Sequence, residues 1–225
     1  MIIYEFGNKE DMRKIEIHDG KVYLIYGDRK NGKTATLLKI ASKLIEQKRR
    51  VLFVDIEKRY ECYSAIYDEE YSNLKEMKVI TMNWEIKDNH LIILDDFIRN
   101  FKQIVNAYDD ILIDNLSFPY FNVSLNNTMR RDVKKFENKI IDCCYNKTLI
   151  ITSDFALKTN KISGLKVKLP KVSQSLQTIA EKMIIVSKEL EPNAEQIYHY
   201  WQFHTNKIPF KIEKTGVILD KNIGW

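Results

Sequence analysis

Residues 22–34 read VYLIYGDRKNGKT. An apolar run ends at Gly27, four residues follow, and Gly32, Lys33 and Thr34 open an amphipathic stretch, which is the spacing G-x-x-x-x-G-K-[ST] set between a strand and a helix. That spacing is suited to phosphate. Glycines at 27 and 32 let the intervening chain curl until its backbone N–H groups face inward on an anion. Lys33 reaches the outer phosphates of a nucleoside triphosphate, the Thr34 hydroxyl binds Mg2+, and the helix starting near Asn31 adds the positive end of its dipole. The expected nucleotide contacts are Gly27, Asp28, Arg29, Lys30, Asn31, Gly32, Lys33, Thr34 and Ala35, with ATP and Mg2+ as ligands.

Outward from the loop, the chain alternates strand and helix. Residues 21–26 are apolar without interruption, as in a strand buried on both faces. Residues 34–47 carry apolar side chains at helical spacing and close on Lys48, Arg49 and Arg50, where cations suit the helix dipole. Further strands are expected at 50–56, 77–84, 110–114 and 148–152, with helices around 60–71, at 90–108 and at 130–145. This alternation predicts an α/β fold with a mostly parallel sheet covered on both sides. Residues 1–19 read as a short lead-in with an edge strand at Ile15 and Ile17. Residues 155–173 carry Lys158, Lys161, Lys166, Lys168 and Lys171 and no acidic residue, and read as a long basic loop. A short helix at 174–182 and a strand at 183–187 follow. Strands at 196–204 and 210–219 end the chain, antiparallel and joined by a turn at 205–209.

Composition limits the alternatives. With 225 residues, 7 Gly, 4 Pro and no linker-like tract, the chain reads as a single domain over 1–225 with its core at 20–220. Its three cysteines show neither disulfide nor zinc spacing, and the charged N-terminal stretch is unlike a secretory signal, so a cytoplasmic location is expected. No apolar run reaches the length of a membrane span. A net charge of +5 permits nucleic-acid binding without demonstrating it.

In parallel sheets, ligands bind beyond the carboxyl ends of the strands. The residues expected there are Lys33 and Thr34, Glu57, Asp114, and the pair Ser153 and Asp154. Asp114, after the apolar DILI, suits Mg2+ beside the Thr34 hydroxyl. Glu57 suits a base that takes a proton from the water attacking the γ-phosphate.

Three stretches carry a resemblance to a known family. VLFVDIEKR, ILIDNLS and LIITSDF resemble successive strands of the RecA-like ATPases, a group that includes the RecA and RadB recombinases, the KaiC-like proteins and the DnaB-type helicases. NKIPFKIEKTGVIL is similar to the NKI and PFK segment of bacterial RecA. The resemblance implies a RecA-like P-loop NTPase fold with antiparallel C-terminal strands, and hydrolysis with Glu57 as the base. It further implies Lys33 and a trans-acting Lys207 on the phosphates, and a γ-phosphate sensor at Ser153 and Asp154, where the family commonly has Gln. It implies assembly into a ring or filament, and binding of single-stranded DNA through Lys158, Lys161, Lys166, Lys168 and Lys171 in recombination, repair or replication. Two alternatives stand beside it: a KaiC-like or motor-accessory ATPase with protein partners, and an assembly subunit that holds ATP without turnover.

Overall fold

The computed structural model describes residues 2–8, 13–67, 72–82, 90–122, 127–159, 164–190, 197–203, 206–213 and 216–219. Its elements, in chain order, begin with β1 (Ile2–Asn8), β2 (Arg13–His18), β3 (Val22–Gly27), α1 (Lys33–Glu46), β4 (Val51–Asp55), α2 (Tyr60–Tyr67) and β5 (Lys78–Thr81). They continue with α3 (His90–Ile104), β6 (Asp110–Asp114), α4 (Phe118–Asn122), α5 (Asn127–Cys143), β7 (Thr148–Thr159) and β8 (Lys166–Pro170). The last are α6 (Gln174–Ile179), β9 (Lys182–Leu190), β10 (Ile197–Phe203), β11 (Asn206–Glu213) and β12 (Gly216–Leu219).

The main sheet runs β12-β11-β10-β9-β3-β7-β6-β4-β5. Its half from β9 to β5 is parallel, and its half from β9 to β12 is antiparallel. Strand periodicity divides its side chains between two cores. Tyr23, Ile25, Val51, Phe53, Leu112, Ile150, Ile184 and Val186 face α1. Leu24, Leu52, Val54, Ile111, Ile113, Leu149 and Ile151 face α3, α5 and α6. Burial on both faces explains why these strands are continuously apolar in sequence. Among the described residues, no helix is long and apolar enough to cross a membrane.

Three expectations are corrected. The lead-in is an antiparallel pair of strands, β1 and β2, outside the main sheet, and it buries Ile15 and Ile17 in the α1 core. The basic loop is largely a β-arm: β7 runs on to Thr159 and β8 returns antiparallel along it, with Leu157 opposite Lys168 and Lys158 opposite Val167. Apolar and basic residues on both strands blur the alternation that would have marked them. The last two strands are three, because β11 begins at Asn206 and β12 is separate. Pro209 lies within β11 opposite Tyr200, just outside the ladder to β12, an edge position that proline tolerates.

Below the arm, fully buried Glu137 of α5 accepts a hydrogen bond from the backbone N–H of Ser173, the N-cap of α6, at 2.9 Å. Burial pushes its carboxyl up from 4.5 to about 7, an effect only partly offset by hydrogen bonds from Ser173 and the Tyr120 hydroxyl and by the charge of Lys134. Between those two values the folded chain keeps a proton that the unfolded chain has lost, so this group's stabilisation declines as pH rises through the window. Relative to a Glu137→Gln variant, the parent should lose on the order of 3 kcal/mol of unfolding free energy from pH 4.5 to 7.5, measured by urea titration at each pH. Parallel pH profiles for the two proteins would contradict the assignment.

Candidate functional site

The loop after β3 is shaped by close approaches. A Cβ placed on Gly27 would lie 2.1 Å from the Val186 carbonyl oxygen of β9, so only glycine lets β3 and β9 end side by side here. Gly32 has φ +92°, a left-handed conformation that favours glycine, and its Cβ position would meet Ile212 Cδ1 at 2.5 Å. Behind the loop, Trp201 Nε1 donates to Thr36 Oγ1 at 2.8 Å, and Thr36 Oγ1 donates to the Gly32 carbonyl at 2.8 Å. Trp201 is fully buried and stacks on Phe210 at 4.3 Å. The C-terminal strands therefore back the first turns of α1.

Lys33 is 7% exposed, and its Nζ donates to the carbonyls of Gly27 at 3.1 Å and Asp28 at 2.8 Å. The same Nζ lies 2.8 Å from Asp154 Oδ1, while Arg29 Nε stands 3.5 Å from Asp154 Oδ2. Thr34 Oγ1 donates to Asp114 Oδ2 at 2.7 Å, and the Thr152 hydroxyl donates to Asp114 Oδ1. Burial raises the Asp114 carboxyl to about 6; those two hydroxyls pull it down, and the nearby charges of Glu57 and Asp55 push it up. Glu57 lies beside them, accepting from Asn115 Nδ2 at 2.9 Å on one oxygen and pairing with Arg59 Nε at 2.8 Å on the other.

A hydrogen-bond chain joins these groups. Asn115 Oδ1 accepts from the Ser117 N–H at 3.0 Å and its hydroxyl at 2.6 Å, and Ser117 Oγ accepts from the Asp154 N–H at 2.9 Å. Glu57 is thus connected through Asn115, Ser117 and Asp154 to Lys33. The sequence reading missed Asn115, Ser117, Asp55, Thr152, Thr36 and Trp201. Small polar residues just beyond strand ends were the available signal for Asn115 and Ser117; Trp201 left none, since its partner is distant in the chain.

The donor set suits a hard divalent cation. The Thr34 hydroxyl and Asp114 carboxylate are adjacent, and buried Asp55, paired in register with Asp114, has an Oδ1 without a hydrogen-bond partner. Oxygen ligands of this kind, completed by water and phosphate, fit Mg2+.

The remaining expected residues are dispersed. Ser153 lies on the face opposite Asp154 and donates to the Asp154 carbonyl at 2.7 Å, so of that pair only Asp154 meets Lys33. Lys158, Lys166 and Lys168 are exposed on the arm, with Lys168 Nζ 4.7 Å above the Phe155 ring. Lys171 is off the arm: its N–H donates to the Asp154 carbonyl at 2.8 Å, and burial lowers its ammonium from the usual lysine range. Lys161 lies outside the described residues. Lys207 stands opposite Gln202 in the β10–β11 ladder; its side chain is outside the described residues.

No family model and no curated protein matches the sequence. The fold is the RecA-like P-loop fold. It is shared with a KaiC-like protein of the hyperthermophilic archaeon Pyrococcus horikoshii, with a TM-score of 0.64 and 17% identity over 91% of each chain.

Trp201→Phe removes the bond to Thr36 and trims the ring stacked on Phe210, and should lower the unfolding free energy by at least about 1–2 kcal/mol in urea titration. An unchanged midpoint would mean that the indole N–H does not brace α1.

Proposed function

We propose that the chain is a single RecA-like domain that binds ATP with Mg2+ on residues Gly27 to Ala35 and hydrolyses it. The observation that supports this most is the convergence of Lys33, Thr34, Glu57 and Asp114 at neighbouring strand ends beside the loop. Loop N–H groups and Lys33 bind and orient the phosphates, and Glu57, steadied by Asn115 and Arg59, takes the proton from the attacking water. Mg2+, held by Thr34 and Asp114, would neutralise charge on the phosphates. Glu57→Gln should slow hydrolysis at least about a hundredfold while ATP still binds. Undiminished turnover would remove Glu57 from the base role.

The partner we favour is single-stranded DNA, with an assembly of several copies in which Lys207 reaches a neighbour's site. Lys158, Lys166 and Lys168 form an exposed basic arm whose cations suit a phosphate backbone without sequence preference. Changing these three lysines to Gln should weaken single-strand binding and flatten its dependence on salt, measured by fluorescence anisotropy. Binding by the parent that ignores salt would exclude this role. A protein partner is the second reading, favoured by Leu157, Leu165 and Val167, which are 58%, 68% and 42% exposed on or beside the same arm. Under it, ATP turnover would be indifferent to single-stranded DNA.

A further inference from the structure

We infer that Asp154 is a built-in competitor of the nucleotide: its carboxylate pairs with Lys33 and must be displaced for a phosphate to bind there. The inference rests on the phosphate-loop reading and goes beyond it in assigning the charge that opposes binding.

An ammonium group has three N–H donors. Two of those of Lys33 go to the Gly27 carbonyl at 3.1 Å and the Asp28 carbonyl at 2.8 Å, and Asp154 Oδ1 stands 2.8 Å from the same Nζ as its ion-pair partner, without a hydrogen bond of its own. A phosphate oxygen approaching Lys33 therefore meets the Asp154 carboxylate in the space beside the two carbonyls. The two carbonyls belong to the backbone of the loop and cannot leave without reshaping it. Asp154 is held differently. Its main chain is fixed at both ends, the N–H on Ser117 Oγ at 2.9 Å and the carbonyl on the N–H of Lys171 at 2.8 Å, whereas its carboxylate can turn by side-chain rotation. An incoming phosphate also repels that carboxylate and no other ligand of Lys33.

A destination is already in place. Arg29 Nε lies 3.5 Å from Asp154 Oδ2 on a side chain that is 57% exposed and so has room to follow it. Lys171 adds a second positive charge beside Asp154. Phosphate binding would thus exchange the Lys33–Asp154 pair for a Lys33–phosphate pair and leave Asp154 on Arg29, with which it is already paired. The exchange lowers affinity for every phosphate ligand, because the Asp154 side chain is only 7% exposed and its charge is weakly screened.

Isothermal titration of MgADP and of the slowly hydrolysed analogue MgATPγS into the parent, Asp154→Asn and Lys33→Ala tests this, with Asp154→Ser as a second neutral variant should Asn misfold. Asp154→Asn should bind both nucleotides at least about tenfold more tightly. Its melting temperature without nucleotide should fall, because Lys33 loses its counter-ion, and the rise on adding nucleotide should exceed the parent's. Equal or weaker binding by a folded neutral variant would overturn the inference. A loss of affinity in Asp154→Asn that disappears when the same nucleotides are titrated without Mg2+ would also overturn it, by making Asp154 a metal ligand. If the parent binds and Lys33→Ala does not, an unchanged Asp154→Asn defeats the competitor role and leaves the phosphate-loop reading intact. If neither the parent nor the neutral variant binds, both fall. A parent that fails while Asp154→Asn binds would support the inference in its strongest form, a site closed by its own counter-ion.

Discussion

Burial of the parallel strands on both faces is the constraint on which the other features depend. β3, β4, β6 and β7 each place alternate side chains in two apolar cores, leaving little space along their length for a charged group. Polar side chains collect where the strands stop. Because the strands run in parallel, their carboxyl ends share one rim, and Gly27, Glu57, Asp114 and Asp154 become neighbours although they are far apart in the chain. Asp110 illustrates the other rim, where it is fully buried and paired with Arg49.

Electrostatics at the functional rim is crowded. Asp55, Asp114 and Asp154 are almost wholly buried there, and Glu57 is nearly so, with Lys33, Arg29, Arg59 and Lys171 set against them. Acid is concentrated beside Thr34 and Asp114, where burial and neighbouring carboxylates hold the Asp114 proton more tightly than usual. Cation is concentrated at Lys33, Arg29 and Lys171, around Asp154. Such an arrangement favours a ligand that brings a divalent cation to one side and anionic oxygens to the other, as a metal-bound nucleotide does.

The antiparallel C-terminal strands have a mechanical part in this site. Trp201 and Phe210 stack behind α1, and the Trp201–Thr36–Gly32 bonds tie the sheet extension to the turn carrying Lys33 and Thr34. Ile212 Cδ1 closes on Gly32, so a side chain on that glycine would have to push it aside as well as hold a left-handed backbone. The extension is therefore part of the wall that shapes the loop, in addition to completing the sheet.

Taken alone, the sequence determined the loop, the order of the parallel strands and the acidic residues Glu57, Asp114 and Asp154 at strand ends, because each is written in a few consecutive residues whose spacing carries the physics. GDRKNGKT needs only its own glycines and the flanking strand and helix to be read. Strand parity, not proximity in sequence, decided the rest. Ser153 and Asp154 are adjacent in the chain, yet the pleat sends one into the far face and the other to Lys33. The arm was misread because pairing β8 with β7, which makes both segments strands, is a long-range hydrogen-bond pattern that a mixture of Lys and apolar residues does not announce. Asn115, Ser117 and Trp201 acquire their roles only through partners brought together by tertiary folding, so only the tertiary structure could join Glu57 to Lys33 or the last strands to the first loop.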